Sequence, residues 1–119
     1  MGRILVADDS LFVRRLVSEM LTAGGHEVVE QVGDGLHAIE RYRAVDPDLV
    51  VLDVNMPGCD GFAAASAILE HDDDARIVIA SVLLDEQRRA RAEELGVAAV
   101  LAKPFEADTL LAAVDRALA

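Results

Sequence analysis

Four short stretches carry side chains that could do chemistry together: Asp8-Asp9, Asp53, Ser81 and Lys103-Pro104. Each follows or closes a short apolar run: RILVA before Asp8, LVVL before Asp53, RIVIA before Ser81 and AAVLA before Lys103. A carboxylate or ammonium at the end of such a run gains nothing from a core. If the runs are neighbouring strands of one sheet, their ends bring three carboxylates, a hydroxyl and an ammonium to the mouth of one crevice. Clustered carboxylates are unfavourable without a cation. Their oxygens are hard ligands, and Mg²⁺ is usually held by one or two of them together with waters and phosphate oxygens. A phosphate-bearing ligand is therefore implied, with the lysine as a point charge for one phosphoryl oxygen and the hydroxyl as a donor to another. Asp53 is the natural nucleophile, since a carboxylate can form an aspartyl phosphate. Catalysis would then be mainly positioning and charge neutralisation.

Taken singly, these residues have blander explanations. Asp8-Asp9 with Ser10 could equally cap the first helix. Ser81 alone means little. Lys103 alone would be a solvated charge, were it not the single lysine beside ten arginines; the planar guanidinium fork is no substitute for a compact ammonium. The conjunction carries the case. Other groups carry less. Asp72–Asp74 reads as a solvated turn, because the spacing of a calcium loop is missing. His26, His37 and His71 have no ligand spacing and Cys59 has no cysteine partner, which argues against zinc and excludes an intramolecular disulfide. Gly33-Asp34-Gly35 lacks the rest of a phosphate loop and reads as the start of a helix.

The elements that must position these residues are legible as alternating patterns. Strands are expected over Arg3–Ala7, Glu27–Val32, Asp48–Asp53, Arg76–Ser81 and Ala98–Ala102. The middle three are read as nearly continuous in apolar character, the mark of strands covered on both faces. Between them lie helical stripes. Val13, Leu16, Val17, Met20 and Leu21 form the first, ended by Gly24-Gly25. Leu36, Ile39 and Tyr42 form the second, stopped at Asp46-Pro47. Phe62, Ala65, Ile68 and Leu69 form the third, with Asp60 as cap; Asp85 caps a fourth that runs to Leu95 and ends at Gly96. Leu110, Leu111, Val114 and Leu118 form the fifth. Strand and helix alternate about five times, which implies a parallel sheet with helices on both faces and a site beyond the carboxyl ends of the strands.

Bulk properties bound the function. The chain has 119 residues, enough for one domain, and 53% are hydrophobic, enough for a core that is aliphatic because aromatics are only 3%. A net charge of −11 argues against nucleic-acid binding through this chain, which needs clustered cations. The N-terminus reads as no signal peptide, and no run approaches the roughly 18 apolar residues of a membrane span. A cytoplasmic protein without membrane insertion is expected.

At this point the chain resembles a known family. Asp8-Asp9, Asp53, Ser81 and Lys103-Pro104 occur in the order of the receiver domain of response regulators, with the motifs VADDS, LVVLDVNMPGCDGF and ELGVAAVLAKPF. The resemblance spans essentially residues 1–119, read as one receiver domain. It implies a flavodoxin-like (βα)5 doubly wound α/β fold with strand order 2-1-3-4-5. It implies that Asp53 accepts a phosphoryl group from a sensor histidine kinase or phosphotransfer protein. Asp9 would bind Mg²⁺ directly, Asp8 mainly through water, and Asn55 through its backbone carbonyl. Lys103 would pair with the phosphoryl group, with Lys103-Pro104 a candidate cis peptide, and Ser81 would move toward the phosphoryl oxygens. The population would shift toward a conformer with an altered surface at helix four, strand five and helix five, where a downstream protein reads it. The stretch DDSLFVRR resembles chemotaxis-type regulators; other single-domain regulators act in relays.

The chain departs from the family pattern at two places. Val82 stands where relatives usually carry Ala, and Val100 where many carry an aromatic. The first narrows the pocket rim. The second puts the paired hydroxyl–aromatic switch in question. Leu83 offers no polar group to orient water, so slow autodephosphorylation is expected. Two other function classes stand beside this reading. A Mg²⁺-dependent phosphohydrolase would need a second Asp where Asn55 stands. A degenerate receiver would bind its partner without phosphate. The chain ends just after the fifth helix, which fits a stand-alone regulator or a receiver excised from a longer protein.

Overall fold

In a computed structural model, which describes residues 1–119, strands β1 (Arg3–Ala7), β2 (Glu27–Val32), β3 (Leu49–Asp53), β4 (Ile77–Ser81) and β5 (Ala99–Ala102) alternate with helices α1 (Leu11–Ala23), α2 (Gly35–Val45), α3 (Gly61–His71), α4 (Glu86–Leu95) and α5 (Ala107–Leu118). All strand pairs are parallel and the order is β2-β1-β3-β4-β5, the flavodoxin-like arrangement expected from the resemblance. The chain steps outward from β1 to β2, then back across β1 to β3. The crevice at that reversal, between β1 and β3, is where ligands bind in such sheets.

Successive strand residues face opposite sides of the sheet, so each strand feeds two cores. Leu5, Val50, Leu52, Ile77 and Ile79 pack with Tyr42, Phe62, Ile68 and Ala92, under α2, α3 and α4. Ile4, Val6, Leu49, Val51 and Val78 pack with Val17, Leu21, Leu110 and Val114, under α1 and α5. In β3 and β4 every residue is buried, as expected for covered strands. The expectation fails for β2, whose first five residues are exposed or only half-buried. β2 is the sheet edge, and its Glu30 faces Arg41 of α2 in an ion pair. β1 takes the covered place instead, with a neighbour on each side and four of its five residues buried. Strands β3, β4 and β5 each begin one residue later than the apolar runs suggested.

Helix starts follow the expected chemistry. Ser10, Asp34, Asp60 and Asp85 each accept the backbone N–H three residues on. Gly96 closes α4 at φ 84°, and Gly25 follows α1 at φ 92°. The Asp72–Asp74 turn is occupied by the fold: one Asp72 carboxylate oxygen accepts the Tyr42 hydroxyl at 3.0 Å and the other the Asp74 N–H at 3.1 Å.

Candidate functional site

Asp53 is the last residue of β3 and Asp8 follows the last residue of β1, so both carboxylates stand at the carboxyl ends of adjacent, fully buried strand ends. Their side chains are only 5% and 6% exposed, so they meet in a medium that penalises charge. Lys103, one residue past β5, reaches back between them. Its Nζ lies 2.6 Å from Asp8 Oδ2 and 3.0 Å from Asp53 Oδ1. The Lys103 N–H donates to the Ser81 carbonyl at 2.8 Å, fixing the loop after β5 to the end of β4. The Lys103–Pro104 peptide is cis.

Both readings of Asp8-Asp9-Ser10 hold, divided among the residues. Ser10 is the helix cap, while Asp8 Oδ1 accepts the Ser10 N–H at 2.9 Å and Asp8 Oδ2 faces Lys103. Asp9 is exposed, yet Asp8, Asp9 and Asp53 each offer a carboxylate oxygen within 4.8 Å of the others. One ammonium thus pairs with two of three clustered carboxylates. The burial of Asp53 raises its carboxyl above the usual range and the Asp8 charge adds to this, against the opposing pull of Lys103 and the Asn55 N–H. For Lys103, burial alone would favour the neutral amine, but its bonds to Asp8 and Asp53 win and hold it more firmly protonated than a free lysine.

The other candidates are nearby but turned differently. The Ser81 side chain is buried at the end of β4, and its hydroxyl donates to the Leu83 carbonyl at 2.6 Å rather than pointing to Asp53. Asn55 is exposed in the loop after β3. That loop is held by its own backbone: Gly61 donates to the Val54 carbonyl at 2.9 Å and Cys59 to that of Pro57 at 2.8 Å. Gly61 cannot be replaced without moving the site, because a Cβ there would run into the Asp53 carbonyl. Val82 is largely exposed at the rim, and Val100 is half-buried against the core beneath α4.

Two features escaped the sequence reading. Arg14 of α1 donates from Nη1 to the Asp8 carbonyl at 2.6 Å, bracing the acidic loop. Beside Asp9 and Asn55 opens a cleft of about 680 Å³ whose far wall is Gln87, Arg88 and Arg91 of α4. Neither carries a sequence signal, because both depend on which rotamer a surface arginine adopts.

The donor set is hard oxygen, anionic, and shielded by one fixed cation. It fits a divalent cation of the Mg²⁺ kind and a phosphoryl group, and offers no soft ligand for zinc.

Comparison with known proteins gives the same direction. The sequence pattern of the response regulator receiver domain matches residues 4–115. The chain is 36% identical over 116 residues to the chemotaxis protein CheY of Bacillus subtilis, covering 98% of this chain and 97% of that protein. Its fold superimposes with a TM-score of 0.92 on Vibrio cholerae chemotaxis protein CheY4, at 30% identity and 99% coverage of both chains. It also superimposes, with a TM-score of 0.90 and 30% identity over 94% of this chain and 85% of that one, on a chain of the CheX-CheY-BeF3-Mg²⁺ complex of Borrelia burgdorferi. No helix is long and apolar enough to cross a membrane. Fold, strand-end acidic cluster and relatives agree: the chain belongs to the response regulator receiver domain family of two-component signalling.

Proposed function

We propose that this receiver is switched by phosphorylation of Asp53. The observation that carries the reading is Lys103 Nζ held between the buried carboxylates of Asp8 and Asp53. Lys103 opposes the burial that favours protonated Asp53, and it sets a cation where phosphoryl charge arrives. The Asp53 oxygen attacks phosphorus as the bond from phosphorus to the donor's histidine nitrogen breaks and its electron pair stays on that nitrogen; the phosphoryl oxygens replace Asp53 as the Lys103 partner. Ser81 turns its hydroxyl from the Leu83 carbonyl to a phosphoryl oxygen. Asp8, Asp9, Asp53 and the Asn55 carbonyl would hold Mg²⁺, which neutralises charge as it develops on the phosphoryl group.

Phosphorylation adds about −1.5 to −2 charges and strong acceptors. Ser81 gains a bond available only in that state, so its loop and the face of α4, β5 and α5 shift in population. The donor is a histidine kinase or phosphotransfer protein in the cytoplasm. The reader is a downstream protein on the α4–β5–α5 face, in chemotaxis or a related relay. The names of the CheY relatives support the chemotaxis branch.

The switch lacks the usual aromatic partner, since Val100 stays packed on the core. Movement therefore runs through Val82 and Leu83, which are exposed and follow Ser81 directly. A phosphohydrolase is disfavoured because Asn55 cannot serve as a general acid.

Incubation with Mg²⁺ and acetyl phosphate should add one phosphoryl mass, read on the intact protein. The gain should vanish without Mg²⁺ and in Asp53→Asn. A gain that persists in Asp53→Asn would refute the assignment.

A further inference from the structure

The cleft beside Asp9 and Asn55 joins a cationic wall to an acidic site, and the fold does not require that wall. Helix α4 buries one residue, Ala92. Arg91 makes no ion pair; its guanidinium carbon lies over the buried Phe62 ring, 4.6 Å from the ring centroid. A cation–π contact of this kind holds the guanidinium over the ring, and its N–H donors have no acceptor within the protein. Arg88 stands one turn earlier, tied only by a 3.3 Å contact to the Asp85 carboxylate. The two arginines and Gln87 thus present N–H donors across the cleft from Asn55. Asp60, which also borders the cleft, spends a carboxylate oxygen on the Ala63 N–H at the start of α3.

We infer that Arg88 and Arg91 form a leaving-group subsite for small acyl phosphates, holding the carboxylate that departs as Asp53 is phosphorylated; this rests on Asp53 being the phosphoacceptor. The step balances without a further reactant. An Asp53 carboxylate oxygen forms the new bond to phosphorus. The bond from phosphorus to the acyl oxygen breaks, and its electron pair stays on that oxygen. The product is a carboxylate, which needs no proton and matches a guanidinium fork in bidentate geometry. Phosphoramidate delivers the same phosphoryl group but releases ammonia, which offers no anion to the arginines. The subsite therefore favours acyl phosphates over phosphoramidate, whereas the groups around Asp53 serve both donors alike.

The experiment measures the rate constant for phosphorylation by acetyl phosphate and by phosphoramidate at fixed Mg²⁺, by intact mass. The proteins are the wild type, the double variant Arg88→Gln/Arg91→Gln, and Arg89→Gln. Arg89 lies on the same helix but faces away from the cleft, among Glu93 and Val97 to Val100. The double variant should lose about tenfold with acetyl phosphate, as expected for removal of charge-assisted hydrogen bonds, and change less than about twofold with phosphoramidate. Arg89→Gln should leave both rates within about twofold. The phosphoramidate rate doubles as a folding control on the same sample. Equal losses with both donors, no loss with acetyl phosphate, or an Arg89→Gln loss matching that of the double variant would each overturn the subsite. A wild type that neither donor phosphorylates, although it binds Mg²⁺, would instead overturn the assignment of Asp53 and the subsite with it.

Discussion

At the amino ends of the strands, His26 accepts the Gly2 N–H on Nδ1 at 3.0 Å and lies 2.8 Å from Asp115 through Nε2. The backbone donor at Nδ1 sets the ring hydrogen on Nε2, so a neutral imidazole satisfies both neighbours. Close by, the Arg3 N–H donates to Asp48 and its guanidinium to the carbonyls of Val45 and Asp46. At the carboxyl ends, two buried carboxylates share one ammonium, with the exposed Asp9 carboxylate beside them. No buried polar side-chain atom at either end lacks a hydrogen-bond partner. The difference is where charge is buried. At the amino end the carboxylate facing His26 is 65% exposed and screened by water, and the contacts join α5 and the N-terminus to the sheet. The carboxyl end is satisfied bond by bond yet buries two carboxylates against one ammonium, an excess of negative charge that an added cation relieves. Hydrogen-bond satisfaction alone therefore does not separate a latch from a reactive site; buried charge does.

The sharpest way to break this contrast is Lys103→Met. It leaves Asp8 and Asp53 buried together without a cation. Phosphorylation should fall below detection, and stability without Mg²⁺ should drop by about 3 kcal/mol in urea unfolding, because an unpaired buried charge is strongly penalised. Added Mg²⁺ should restore much of that loss. His26→Ala tests the other end. It removes two hydrogen bonds and a buried ring, and should cost about 2 kcal/mol. Phosphorylation of the remaining folded protein should match the wild type. A similar loss of phosphorylation in both variants would erase the distinction between the ends.

On stability, Asp53→Asn gives the smallest effect and the opposite sign. Burial and the Asp8 charge raise the folded-state carboxyl above its unfolded value, so ionised Asp53 destabilises the fold above that raised range. The variant should be more stable than the wild type at neutral pH without Mg²⁺, by about 1 kcal/mol, while Lys103 keeps Asp8. The gap should close as pH falls and Asp53 takes up its proton. A gap that widens on acidification would mean that Lys103 dominates the balance.

The fold was readable because each strand is a short apolar run and each helix carries a cap and a stripe. The error over β2 has a physical origin: EVVEQV is apolar enough to pair, but its two glutamates and one glutamine belong to an edge. Of the site, Asp8, Asp53 and Lys103 could be brought together from their strand-end positions alone. The Ser81 bond to Leu83, the Arg14 brace and the Arg91–Phe62 stack could not. They are decided by torsion angles after the backbone is set, and the sequence holds no spacing rule for them.

Helix α4 fully buries a single residue, Ala92, where α3 buries five. In energetic terms the two helices sit on different rungs of the ladder of partial openings. Detaching α3 uncovers Phe62 and Ile68 and approaches global unfolding. Detaching α4 uncovers Ala92, the half-buried Leu95 and a cation–π contact, a smaller apolar loss. Amide hydrogens of α4 should therefore exchange with deuterium through a local opening that responds weakly to urea, while those of α3 exchange with the whole domain. The protein keeps its most loosely held helix beside Asp53, where a small free-energy input has the largest leverage on shape.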